Sequence, residues 1–71
     1  MEVDARGLRC PLPLVRARAA LASLPAAEPL VVLATDPEAP IDLAALAADV
    51  GRAFACSRVD GAWRLTLSAQ E

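Results

Sequence analysis

The 71 residues fit one domain, residues 1–71, and leave no room for a second. A domain of this size buries only roughly 60% of the surface that its unfolded chain exposes, which favours a surface site over a deep catalytic cavity. The net charge of −2 disfavours direct binding to nucleic acid. The sequence contains no His and only two Cys, so we expect no His-based catalysis, no bound metal and no cofactor.

The first half of the chain predicts a strand, a helix and a second strand. The first strand covers Glu2–Arg6 and ends at Gly7. The helix runs from Cys10 to Leu24, because Pro25 ends it. The apolar residues of one helical face are spaced by three, four and three: Leu14, Ala17, Leu21 and Leu24. A short apolar run, Leu30–Leu33, predicts a buried strand.

A second helix follows a proline-rich connector, residues 36–41. Asp42 is expected to cap this helix at its N-terminus, and Gly51 to end it. Its apolar residues recur at the spacing of one helical face: Leu43, Leu46, Ala47 and Val50.

The last third of the chain predicts a β-hairpin around Asp60–Gly61, which is a strong two-residue turn signal. With a two-residue loop, Cys56 lies opposite Leu65 and Phe54 lies opposite Leu67. These four side chains and Trp63 then share the core face. We therefore expect Cys56 to be buried and structural.

The resulting order is β-α-β-α-β-β. It predicts an α/β two-layer sandwich, with a mixed four-stranded sheet and two helices on one face. The N-terminus lacks the basic and apolar regions of a signal peptide, and no apolar run reaches the roughly 20 residues of a membrane span. We expect a cytoplasmic protein that does not contact membranes and is a monomer.

The candidate catalytic residue is Cys10, at the start of the first helix. Because a residue before proline favours extended geometry, Cys10 suits the N-cap position. Pro11 would then lie at N1 and Pro13 at N3, where neither breaks a helical hydrogen bond. Leu12 alone would keep a free N–H in this turn.

The helix dipole stabilises an anion at this end, which predicts a lowered pKa for the Cys10 thiol, by less than about one unit. Arg9 or Arg16 would lower this pKa further if they lie close. The alternative is that Cys10 is only a small residue that covers a helix end.

Residues 4–13 resemble the signature of the TusA/SirA family of small sulfurtransferases. The core of that signature is Gly-Leu-x-Cys-Pro-x-Pro, here Gly7 to Pro13. The segment from Asp36-Pro37 to Asp42-Leu43 resembles a second motif of the family. Ala44 stands where a proline is usual, and Pro40 is extra, which leaves the partner and the pathway open.

The resemblance implies a sulfur carrier that accepts a sulfane sulfur as a persulfide on Cys10 and passes it on. The implied partners are a sulfur donor, such as a cysteine desulfurase or a rhodanese-like protein, and an acceptor protein of a sulfur relay. Known pathways of the family include tRNA thiolation, molybdenum-cofactor metabolism and sulfur oxidation. The residues implied to shape the active loop are Gly7, Pro11 and Pro13. Leu8, Arg9 and Leu12 are expected to support the same loop and helix start.

The resemblance also implies that Asp36 and Asp42 lie near the thiol or the partner surface. Arg16 is a further candidate for a position beside the site, because of its charge. For the two aspartates, turn formation and helix capping are equally good explanations. Two other functions remain open for the chain. Cys10 would be oxidised in a thiol redox sensor, and the CPLP turn would only start a helix in a non-catalytic docking module.

Overall fold

The computed structural model describes residues 1–69. Its elements are β1 (Glu2–Ala5), α1 (Leu12–Ser23), β2 (Leu30–Ala34), α2 (Ala39–Val50), β3 (Phe54–Val59) and β4 (Ala62–Leu67). The order β-α-β-α-β-β is the predicted one. Each strand boundary that the sequence predicts lies within one residue of the observed boundary.

The four strands form one mixed sheet in the order β1-β2-β4-β3. β1 and β2 are parallel, so their carboxyl ends lie at the same end of the sheet. β4 is antiparallel to both of its neighbours, and Cys56 lies opposite Leu65, as predicted. The hairpin turn has positive φ at Asp60 (51°) and Gly61 (78°), which is the type I′ geometry expected for this pair.

Both helices pack on one face of the sheet and enclose the core, which confirms the two-layer architecture. The sheet contributes fully buried side chains such as Leu30, Val32, Leu65 and Leu67. The helices contribute Ala17, Ala20, Leu43, Leu46 and Ala47. Small residues of α1 approach the sheet most closely, and the predicted Leu14, Leu21 and Leu24 are half-buried around them.

The start of α2 differs from the prediction. The helix begins at Ala39, its N-cap is Glu38, and Asp42 lies inside the first turn without capping it. Pro40 belongs to this turn rather than to the connector, because a helix needs no N–H donor there. The C-terminal end is as predicted, with Gly51 in the left-handed conformation at φ 73°.

The prediction that Cys56 is buried is wrong, because its side chain is exposed. Its register is correct, so it shares a sheet face with the buried Leu65. However, β3 is an edge strand with a neighbour on one side only. Only its first residue, Phe54, is packed against the core.

No helix within residues 1–69 is long and apolar enough to cross a membrane.

Candidate functional site

Two loops meet where the parallel strands β1 and β2 end. One loop leads from β1 to α1 and carries Cys10; the other leads from β2 to α2 and carries Asp36. The backbone N–H of Gly7 donates a hydrogen bond to Thr35 Oγ1 at 3.0 Å, and the backbone N–H of Cys10 donates to the Asp36 carboxylate. Residues 7–10 and 35–37 line a shallow open cavity of about 350 Å³ between the loops.

The first loop leaves β1 through a turn that needs a glycine. Gly7 has φ 83°, and an added Cβ would meet no atom within 4 Å, so the backbone conformation is the constraint. Just before it, Arg6 pairs with Asp4 at 2.9 Å. The hydrogen bonds from Arg6 lower the pKa of the exposed Asp4 carboxyl to about 2.

The start of α1 also differs from the prediction. Pro11, not Cys10, is the N-cap, and the Cys10–Pro11 peptide bond is cis. The first helical hydrogen bond runs from Val15 N–H to the Pro11 carbonyl, which places Pro13 at the second helical position. The Leu12 N–H is not free, because it donates to the Arg9 carbonyl at 2.8 Å. Cys10 therefore lies in a turn that precedes the helix.

The thiol of Cys10 is exposed and lies next to α2. Its Sγ donates a hydrogen bond to Asp42 Oδ2 at 3.0 Å. Asp36 supports this arrangement from the loop, because its carboxylate accepts both the Cys10 N–H and the Glu38 N–H, the latter at 3.0 Å. The fold thus brings together Cys10, Asp36 and Asp42, which are far apart in the sequence.

The predicted lowering of the Cys10 pKa is wrong: its surroundings raise the pKa of the thiol to about 12. The largest cause is the hydrogen bond to Asp42, followed by partial desolvation, the charge of Asp42, and the hydrogen bond and charge of Glu38. A helix dipole shifts a pKa by less than about one unit, so a carboxylate in contact outweighs it. Neither Arg9 nor Arg16 is among the groups that shift this pKa.

Two residues of the site were not predicted from the sequence. Thr35 joins the two loops through its hydroxyl, and Glu38 adds negative charge beside the thiol. The parallel pairing of the first two strands is the signal that could have predicted them, since it places the loops after both strands at one end of the sheet. No three acidic or Cys side chains within residues 1–69 are arranged to hold a metal ion.

Comparison with known proteins identifies the family. The sequence model described as sulfurtransferase TusA matches residues 1–69, and the chain belongs to this family. It is 40% identical over 60 residues to the sulfur carrier protein TusA of Allochromatium vinosum, covering 84% of this chain and 79% of that protein. A candidate sulfur carrier protein of Neisseria meningitidis serogroup A is 41% identical over 66 residues, 92% of this chain and 89% of that protein.

A solved structure has the same fold. The crystal structure of a SirA-like protein from Desulfitobacterium hafniense superposes with a TM-score of 0.86 at 30% sequence identity. The match covers 99% of this chain and 97% of that one. The expected resemblance to the TusA/SirA family is therefore confirmed, and so is the fold that it implied.

Proposed function

We propose that this chain is a sulfur carrier that holds a sulfane sulfur as a persulfide on Cys10 and transfers it to an acceptor protein. Its membership of the TusA family and the names of its relatives support a sulfur carrier. The single structural observation that carries the assignment to Cys10 is an exposed thiol in a loop fixed by Asp36 and Asp42. The chain acts as one domain and as a monomer, in the cytoplasm, where thiols stay reduced.

The proposed reaction has two steps, each of which exchanges one sulfur–sulfur bond for another. The Cys10 thiolate attacks the outer sulfur of a donor persulfide, which forms Cys10–S–SH and releases the donor thiolate. An acceptor thiolate then attacks the outer sulfur of Cys10–S–SH and releases Cys10. The proton that Cys10 loses on loading balances the proton that the donor thiolate gains, so no external oxidant or reductant is consumed.

The carboxylates of Asp42 and Glu38 keep the Cys10 thiol of the free carrier protonated. With a pKa of about 12 for Cys10, only on the order of 1 in 100,000 molecules carries the thiolate at neutral pH. Since the thiolate is the nucleophile, the free carrier reacts slowly with oxidants and alkylating agents. Once ionised, a thiol of high pKa is intrinsically the stronger nucleophile, which favours attack on a donor persulfide.

Intact-protein mass spectrometry tests the proposal. Wild type, Cys10→Ser and Cys56→Ser are incubated separately with polysulfide, with thiosulfate, and with a cysteine desulfurase plus cysteine. With the desulfurase, we expect wild type and Cys56→Ser to gain the mass of one sulfur atom, which a reductant removes, and Cys10→Ser to gain none. Polysulfide also reacts with exposed thiols such as Cys56, so for the small donors Cys56→Ser is compared with the double variant Cys10→Ser/Cys56→Ser. Two results would refute the assignment: sulfur that the desulfurase adds to Cys10→Ser, or failure of every donor to add sulfur to wild type.

A redox sensor with a Cys10–Cys56 disulfide fits this fold poorly. Cys10 follows β1 and Cys56 lies in β3, and these strands form opposite edges of the sheet. Two intervening strands separate these edges by about 14 Å. A disulfide requires Cα atoms within roughly 7 Å of each other, and in the structure the Cys10 thiol contacts Asp42 rather than Cys56.

A further inference from the structure

Exposed apolar side chains lie in the first turns of α1 and α2, the two helices whose starts flank Cys10. Among the large apolar residues of the described chain, Leu12, Val15 and Ile41 expose 49%, 53% and 71% of their surface. Leu12 and Val15 are three residues apart on the first turns of α1, so they are neighbours on its surface. Ile41 precedes Asp42, whose carboxylate accepts the hydrogen bond from the Cys10 thiol. Such a group beside a reactive residue is typical of an interaction surface, whereas single exposed apolar residues are common anywhere.

The same surface carries uncompensated negative charge. Glu38 and Asp42 lie beside the thiol, and Asp36 accepts a hydrogen bond from the Cys10 backbone N–H. No ion pair within residues 1–69 involves any of the three. Arg9 and Arg16 are the arginines nearest to Cys10 in the sequence after Gly7. Both are exposed, and neither forms an ion pair with these carboxylates. A partner that covers this surface is therefore expected to supply positive charge, because an acidic or uncharged face would desolvate the three carboxylates without an opposite charge.

We propose that Leu12, Val15 and Ile41 form the apolar part of a docking surface for the sulfur donor, a protein that presents Arg or Lys side chains to Asp42 and Glu38. This inference rests on the proposed function, since it assigns the partner of the loading step. Ion pairs between the donor and these carboxylates compete with the Cys10–Asp42 hydrogen bond. The thiol then loses its proton in the docked complex, and the thiolate attacks the outer sulfur of the donor persulfide.

The test compares loading from a protein donor with loading from a small donor. The protein donor is a cysteine desulfurase supplied with cysteine, and the small donor is polysulfide, which needs no docking. The rate of each reaction is measured by mass spectrometry for wild type, Val15→Ser, Ile41→Ser and the double variant, all in a Cys56→Ser background because polysulfide also reacts with that exposed thiol. For each protein, the result is the ratio of the protein-donor rate to the polysulfide rate, which cancels any direct effect on the thiol.

We expect this ratio to fall about 10-fold in each single variant and further in the double variant; a 10-fold loss corresponds to about 1.4 kcal/mol. The protein-donor rate of wild type should also fall as salt is added, because salt screens the ion pairs. Val59→Ser is the matched control: Val59 is 44% exposed but lies on the edge strand β3. Its ratio should stay within about twofold of wild type.

Three outcomes would overturn the docking surface. The first is that the variants have the same ratio as wild type, and the second is that Val59→Ser loses as much as they do. The third is that polysulfide loads wild type but the desulfurase does not. The last outcome leaves the carrier function intact. Failure of both donors to load wild type would refute the proposed function itself.

Discussion

The hydrogen bond to Asp42 raises the pKa of the exposed Cys10 thiol and so disfavours its thiolate form. The two residues are 32 positions apart in the sequence. They are in contact because the parallel strands β1 and β2 place both helix starts at one end of the sheet. Asp42 itself is favoured in the first turn of α2, where the positive end of the helix dipole stabilises a carboxylate. The helix dipole at the start of α2 therefore acts on the Asp42 carboxylate rather than on the Cys10 thiol.

Replacement of this carboxylate should lower the pKa of Cys10. In Asp42→Asn, the negative charge and the carboxylate acceptor are lost, so we expect the pKa to fall from about 12 towards the ordinary value of a thiol. Each unit of decrease raises the thiolate fraction about tenfold and lowers the nucleophilicity about threefold. Alkylation of Cys10 at mildly alkaline pH should thus accelerate about threefold per unit. Peptide mapping after iodoacetamide treatment measures this rate, with Cys56 as the internal reference.

Asp49→Asn is the control for this experiment, because Asp49 is an exposed residue in the last turn of the same helix. Its Cys10 should react at the wild-type rate. The wild-type rate itself should continue to rise with pH from about 9 up to about 12, since the thiolate fraction grows over that range. A wild-type plateau near pH 9, or no acceleration in Asp42→Asn, would show that Asp42 does not control the thiol.

Among the secondary-structure elements, the β3–β4 hairpin is the one that the sequence predicts best. The Asp60–Gly61 turn fixes a two-residue loop, and the loop fixes every cross-strand pair from Val59–Ala62 to Phe54–Leu67. The helix starts were predicted less well. A helix needs no N–H donor from its N-cap or from the first three residues after it, so a proline can occupy any of these positions.

This freedom explains both errors at the helix starts. The pair Pro11 and Pro13 fits the first and third helical positions, as predicted, and also the N-cap and second positions, as observed. Pro40 suits a connector and also the first turn of α2. The predicted lowering of the Cys10 pKa rested on the helix terminus alone, and no local pattern reveals that Asp42 approaches from 32 residues away.

The loop between β1 and α1 depends on the left-handed conformation of Gly7. In Gly7→Ala, the added Cβ has free space, but a side chain at φ 83° costs about 1–2 kcal/mol. We therefore expect the free energy of unfolding to fall by about that amount, as measured by urea denaturation. A chemically synthesised protein with D-alanine at position 7 is the control, since D-residues favour positive φ. Equal destabilisation by both alanines would mean that crowding, not conformation, selects the glycine.

Across the whole molecule, the candidate site and a buried cation lie at opposite ends of α2. The N-terminal turn of α2 contributes Asp42 to the site, whereas Arg52 follows its C-terminal Gly51 and is only 7% exposed. The Arg52 guanidinium donates to three backbone carbonyls: Glu28 at 2.7 Å, Ser68 at 3.0 Å and Pro25 at 3.4 Å. These bonds tie the segment between α1 and β2 to the chain that follows β4. Arg52 was not singled out from the sequence, because its partners are backbone atoms that leave no residue pattern.

Substitution of this arginine should weaken the fold and leave the thiol chemistry unchanged. In Arg52→Met, the aliphatic part of the side chain is kept, but the three carbonyls lose a charged donor. Because such bonds are worth more than neutral ones and the carbonyls become partly unsatisfied, we expect unfolding to require about 2–3 kcal/mol less. Arg18→Met, on the exposed surface of α1, should change stability by less than about 0.5 kcal/mol. Urea denaturation measures both variants, and the alkylation rate of Cys10 in the folded state should match wild type in each. Equal stabilities would show that water replaces the guanidinium at no cost, and an altered Cys10 rate would show that the two ends of α2 are coupled.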